Sequence, residues 1–131
     1  MAFEILIVED DIDSYELYSD FLASCGYSVS GADNGVAAVE AALRSRPALI
    51  VMDAVLPGRS GFEAARLLKS DPRTGHIPIL AITGLVQRRF LDEARAAGCD
   101  GVLGKPFPLD ALAAEVQRLL GREGAHVSAA R

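Results

Sequence analysis

The side chains able to do chemistry in this chain are gathered at four widely spaced places. Glu9, Asp10 and Asp11 stand together, and Asp53, Thr83 and Lys105 stand singly. Each place comes just after a short apolar run: Ile5 to Val8, Leu49 to Met52, Ile79 to Ile82, and Val102-Leu103. Carboxylates held close repel one another, and either take up protons or gather round a divalent cation. The candidate ligands are all oxygens, with no His or Cys in the pattern, so a hard ion is implied. Mg²⁺ fits best, since it uses one or two carboxylates, water and a phosphate oxygen. Asp53 could act as a carboxylate nucleophile and form an acyl phosphate. Phosphoryl transfer puts charge on equatorial oxygens. Mg²⁺, the Lys105 ammonium and the Thr83 hydroxyl could each hold one. Taken singly these residues have plainer uses: Asp11 as a helix cap, Thr83 as a loop hydrogen-bonder, Lys105 as a surface charge. Their combination at successive strand ends is the feature that points to chemistry.

The elements that must position them are legible from periodicity. Phe3 to Val8 reads as a buried strand. Ile12, Tyr15, Tyr18, Phe21, Leu22 and Cys25 recur at helical spacing, and Gly26 supplies the stop. Tyr27 to Ser30 alternates apolar and polar, as a half-exposed edge strand does. Asn34 can cap a helix whose apolar face holds Val36, Val39 and Leu43, ended by Pro47. Ala48 to Met52 is a strand buried on both faces, and Pro57-Gly58 turns the chain away after Asp53. Ser60 and Glu63 have capping-box spacing for a helix carrying Ala64, Ala65 and Leu68, which must end before Pro72. Pro78 to Ile82 is a further buried strand, then come a weaker helix over about Val86 to Ala97 and a short strand at Gly101–Leu103. Leu109, Leu112, Val116 and Leu119 line a last helix, with Gly121 as its stop and 122–131 as a flexible tail.

Five strands alternating with five helices mean an α/β fold: a doubly wound, five-stranded parallel sheet covered on both faces. The flavodoxin-like order 2-1-3-4-5 fits best, with the alternating strand at one edge and the shortest at the other. Ligands of such sheets bind beyond the C-terminal strand ends, at the switch point between strands 1 and 3. Glu9, Asp10, Asp53, Thr83 and Lys105 all lie at that edge.

Composition narrows the partners. A chain of 131 residues, half of them hydrophobic, is one domain with a core of its own. Its net charge of −5 disfavours direct nucleic-acid binding. No apolar run approaches the ~18 residues of a membrane span, and the N-terminus lacks a signal-peptide pattern, so a cytoplasmic protein is expected. Cys25 and Cys99 are too far apart for a local metal pair and read as small buried hydrophobes.

The segments Ile7-Val8-Glu9-Asp10-Asp11, Met52-Asp53 with Leu56-Pro57 and Gly61, Thr83-Gly84 and Lys105-Pro106-Phe107 together resemble the receiver domain of two-component response regulators. The resemblance covers about residues 3 to 121, and is to the chemotaxis-regulator-like, stand-alone type. It implies that Asp53 is the phosphoacceptor, taking a phosphoryl group from a histidine kinase or histidine phosphotransfer protein. It implies that Glu9 and Asp10 form the acidic pair, and that Mg²⁺ is bound by Asp10, Asp53 and the backbone carbonyl of Val55. Thr83 corresponds to the switch hydroxyl and Lys105 to the lysine that contacts the phosphoryl group. A cis peptide before Pro106 is expected. The output implied is a signalling surface of the fourth helix, fifth strand and fifth helix, read by a downstream protein, rather than enzymatic turnover.

Two departures stand out. Val102 occupies the place where the family often has an aromatic ring that rotates on activation, so an aromatic-rotation switch is not expected. Val102, Gln87, Arg88 and Arg89 are the positional candidates for an alternative readout. Ala54 is small where a larger apolar residue is usual. The rival readings are a metal-dependent phosphohydrolase, which would want a second Asp at Val55, a nucleotide- or flavin-binding module, which Glu9-Asp10-Asp11 would repel, and a degenerate receiver serving only for docking. His76 and His126 are placed too far from Asp53 to donate to it.

Overall fold

The apolar runs become strands that end where the polar residues begin. The computed structural model describes residues 2–57, 60–84 and 88–129, with 122–129 described as backbone only. The order is β1 (Glu4–Val8), α1 (Ile12–Ser24), β2 (Ser28–Ala32), α2 (Gly35–Ser45), β3 (Leu49–Asp53), α3 (Gly61–Ser70), β4 (Ile79–Thr83), α4 (Arg88–Ala96), β5 (Gly101–Gly104) and α5 (Leu109–Ala129). The sheet runs β2-β1-β3-β4-β5, and every neighbouring pair is parallel. This is the expected doubly wound order. Gly58, Val86 and Gln87, which the sequence pattern assigns to a turn and to the fourth helix, lie outside the described residues.

Strand side chains alternate between faces, so each buried strand feeds two cores. Leu6, Val8, Ile50 and Met52 face α2, α3 and α4 with Ala38, Ala64 and Leu68. Ile5, Ile7, Leu49 and Val51 face α1 and α5 with Leu22, Leu112 and Val116. A branched side chain fully buried in this way contributes about 1.5–3 kcal/mol. The two-sided burial of β1, β3 and β4 makes the central strands rigid supports for the residues at their C-terminal ends.

Local signals place the helix ends. Asp11 caps α1, accepting the Ser14 amide at 3.0 Å and the Ser14 hydroxyl at 2.7 Å. Gly26 follows that helix with φ +99°, a conformation that favours glycine. Asn34 caps α2 through the Ala37 amide at 2.8 Å. Ser60 and Glu63 form a complete capping box on α3. At the far end of the sheet Lys69 ties three segments together. Its ammonium donates to the Ile77 carbonyl at 2.7 Å and pairs with Asp100 at 2.9 Å, while Asp100 accepts the Ile79 amide at 2.9 Å.

Several local expectations are corrected. α2 buries Ala38, Ala41 and Ala42 and leaves Val36 49% exposed, because alanines let it approach α3 closely. Ile12 and Cys25 are exposed, so α1 buries Tyr18 and Leu22 rather than the whole apolar stripe. Cys99 is half-buried, and burial, with Asp100 beside it, pushes its thiol up to about 11. β2 is the edge strand but lies at Ser28–Ala32. α5 continues past Gly121 to Ala129. Gly121 and Gly124 each cost a helix about 1 kcal/mol, while Arg122, Glu123 and Ala125 are good helix formers and no proline follows Gly121. Among the described residues no helix is long and apolar enough to cross a membrane.

Candidate functional site

β1, β3, β4 and β5 deliver their C-terminal residues to one edge of the sheet. The parallel register sets Asp53 opposite Ile82, and Thr83 opposite Gly104. Backbone bonds continue beyond the strands. The Glu9 amide donates to Ala32 at 3.0 Å, the Ala54 amide to Ile82 at 2.9 Å, and the Lys105 amide to Thr83 at 2.8 Å. The polar residues are thus held by the ladder itself and not by a free loop.

Asp53 is 8% exposed, and its two oxygens are separately engaged. Oδ1 accepts the Val55 amide at 2.9 Å, and Oδ2 pairs with Lys105 Nζ at 2.9 Å. Lys105 also reaches Glu9 Oε1 at 3.3 Å. Glu9 Oε2 accepts the Asp11 amide at 3.2 Å. Thr83 is buried at the end of β4, Asp10 is exposed at the mouth, and Val55 is exposed beside Asp53. The peptide between Lys105 and Pro106 is cis, as expected.

The electrostatics arise from this crowding. Burial, then the neighbouring charge of Asp53, pushes the Glu9 carboxyl above the usual glutamate range, with the Asp11 amide and Lys105 pulling partly back. Burial pulls the Lys105 ammonium down, but its hydrogen bond to Asp53 and the charges of Asp53 and Glu9 outweigh this and hold it above the ordinary lysine value. The Ser14 hydroxyl and amide hold the exposed Asp11 carboxyl below its usual value, consistent with a cap. One oxygen from each of Glu9, Asp10 and Asp53 lies within 4.8 Å of the others. This all-oxygen donor set, with one acid already driven toward its protonated form by burial and then by its neighbour, fits a hard divalent cation.

A raised carboxyl has a sign that can be checked. The stability Glu9 contributes is complete below its unfolded value, near 4.5, and is lost as pH rises through the higher folded value. Glu9→Gln removes that loss. In chelator, the stability of Glu9→Gln relative to wild type is therefore expected to climb as pH rises above about 4.5, read by urea denaturation. A pH-independent difference would show that burial and the charge of Asp53 do not raise the Glu9 carboxyl.

Of the residues singled out from the sequence, Glu9, Asp53 and Lys105 are in direct contact, Asp10 completes the acidic cluster, and Thr83 and Val55 flank it. Two contacts have no signal in the sequence: the Val55 amide on Asp53, and the span of Lys105 across both acids. The first belongs to a turn whose path periodicity does not specify. The second depends on side-chain reach between β1 and β5.

A family model of the response regulator receiver domain matches residues 5–117. The chain belongs to the response regulator receiver family. Proteins of this family act in signalling rather than as classical enzymes. This receiver is 32% identical over 121 residues to the polar-differentiation response regulator DivK of Brucella anthropi, covering 92% of this chain and 98% of the relative. Its fold is similar to the receiver domain of the sensor histidine kinase PA1611 of Pseudomonas aeruginosa, with a TM-score of 0.86, 32% identity and coverage of 92% and 99% of the two chains. That crystal structure has a magnesium ion coordinated in its active site cleft. The chemotaxis response regulator CheY4 of Vibrio cholerae is similar at a TM-score of 0.86 and 29% identity, over 91% of this receiver and 99% of that chain.

Proposed function

We propose that this receiver domain, residues 1–121, accepts a phosphoryl group on Asp53 from a histidine kinase or histidine phosphotransfer protein and signals by protein contact. The observation that carries this reading is the state of Asp53: buried, at the end of a rigid strand, with each carboxylate oxygen oriented by a different donor. A carboxylate oxygen of Asp53 attacks phosphorus. The O–P bond forms as the N–P bond to the donor histidine breaks, and the imidazole leaves with the electron pair and takes up a proton. Lys105 transfers its ion pair from the carboxylate to a phosphoryl oxygen, and the Thr83 hydroxyl donates to another.

Glu9, Asp10, Asp53 and the Val55 carbonyl would hold Mg²⁺, supported by the all-oxygen acidic cluster and by the magnesium in the related PA1611 receiver. When bound, Mg²⁺ supplies charge neutralisation for the acids and the transferring group. The signal leaves by the face of α4, β5 and α5 toward a downstream protein. Val102 is half-buried on that face, with no ring to rotate. Arg88 and Arg89 are exposed there, Arg89 lying 4.9 Å over the Phe90 ring, and they are the groups through which a partner would read it.

The test is phosphoryl uptake from a small acyl phosphate, followed by intact-protein mass spectrometry. One phosphoryl group per chain is expected with Mg²⁺, and a rate lower by about a hundredfold or more in chelator, equivalent to about 3 kcal/mol. No uptake would overturn the acceptor reading, and equal uptake in chelator would remove the metal from it.

A further inference from the structure

Lys105 faces a positioning problem that its own neighbours do not solve. Its ammonium must stay 2.9 Å from Asp53 and 3.3 Å from Glu9, carboxylates carried by two different strand ends. The side chain is flexible and 30% exposed, with water as a competing partner. The backbone bond of Lys105 to Thr83 holds only its amide end. Beyond it the chain turns toward α5, and the contacts that fix that turn decide where the ammonium points.

The stacked pair Tyr18–Phe107 joins α1 to this turn. The ring centroids are 5.6 Å apart and the planes are inclined by 24°. Tyr18 is buried in the core layer under α1 and α5, and Phe107, two residues beyond Lys105, packs against the same layer. We propose that Tyr18 is a positioning residue for Lys105: its ring, clamped on Phe107, sets the turn after β5 so that the ammonium spans Asp53 and Glu9. This rests on the proposed roles of Asp53 and Lys105 in phosphoryl uptake. The Tyr18 hydroxyl is hydrogen-bonded to Ser14 one turn earlier on α1 and lies within electrostatic range of Lys105 and Glu9. Burial pushes the phenol above its ordinary value, so it stays neutral and adds no charge to the site. The positioning is assigned to the ring by its stack on Phe107, and Tyr18→Phe, which keeps the ring and removes the hydroxyl, separates the two.

The composition supplies an internal control, since Lys69 and Lys105 are the only lysines in the chain. Lys69 is held at the opposite end of the sheet by Ile77 and Asp100. Acylation with an amine-reactive ester, mapped by peptide, reads the two independently. Tyr18→Leu is expected to raise Lys105 acylation severalfold and leave Lys69 unchanged, and Tyr18→Phe to leave both unchanged. Phe107→Leu breaks the stack from the other side and is expected to reproduce the Lys105 result. Equal rises at both lysines, no rise at Lys105, or the same rise in Tyr18→Phe would each overturn the proposal.

A double-mutant cycle on phosphoryl uptake separates positioning from general packing. Tyr18→Leu is expected to slow uptake in the wild-type background and to have no further effect in Lys105→Ala. Additive slowing in the Lys105→Ala background would overturn it. Failure of the wild-type protein to take up phosphate would count against the proposed function and leave the acylation result standing.

Discussion

Asp53→Asn is expected to take up no phosphoryl group from an acyl-phosphate donor while keeping its fold. Asparagine has nearly the shape of aspartate, so the Val55 amide can still be accepted by the side-chain oxygen. The amide nitrogen faces Lys105 without charge, and the lysine keeps Glu9 as a partner. The structural loss is then one charged hydrogen bond, about 1.5–3 kcal/mol, partly offset because Glu9 loses the acid that crowds it. The chemical loss is complete. A neutral amide carries no anionic oxygen to attack phosphorus, and no neighbouring group restores one. Mass spectrometry of the treated variant reads the outcome. Labelling that survives would move the acceptor to another acid of the cluster, with Asp10 the exposed candidate.

The second large effect is on the support beneath Asp53. Gly61 starts α3, and its amide donates to the Ala54 carbonyl at 3.0 Å. A Cβ there would run into the carbonyl oxygen of Asp53 and come within 2.9 Å of the Ala54 Cα. Both obstacles are backbone, so no side chain can rotate away. Gly61→Ala must push α3 off the end of β3 or bend the residues that present the carboxylate. A cost of about 3 kcal/mol is expected, at the upper end for overpacking, which is a large share of the ~5–15 kcal/mol that holds a domain together. Phosphoryl uptake should fall with it, because the donors to Asp53 are placed by the same backbone. Gly84→Ala is the control, since a Cβ at Gly84 meets nothing within 4 Å among the described residues. Urea denaturation of the two variants decides the matter. Equal stabilities would show that the α3 approach is not close in solution.

The residue beside the acid is covered by the same helix start. Ala54 is 6% exposed and lies directly under the start of α3.

The sheet, and the identity of the acids, the hydroxyl and the lysine at its edge, are legible in the amino-acid order. Apolar runs of strand length, each ended by a polar residue and separated by helical patterns, admit few topologies. In a parallel sheet all strands end on the same side, so their terminal polar residues necessarily meet at one edge. The caps at Asp11, Asn34 and Ser60 are readable because each is a contact between residues three apart. The contacts those groups make are set only once the chain is packed. Lys105 spans two acids because β5 and β1 are brought to opposite flanks of β3, a fact of side-chain reach and not of spacing. The buried face of α2 differs from its apolar stripe for the same reason. Periodicity finds a stripe, but how closely a neighbouring helix approaches decides whether valine or alanine lies inside it. Tyr18 is the clearest case. Its spacing marks a core residue of α1, and only the packed fold sets its ring on Phe107, beside the lysine that reaches Asp53.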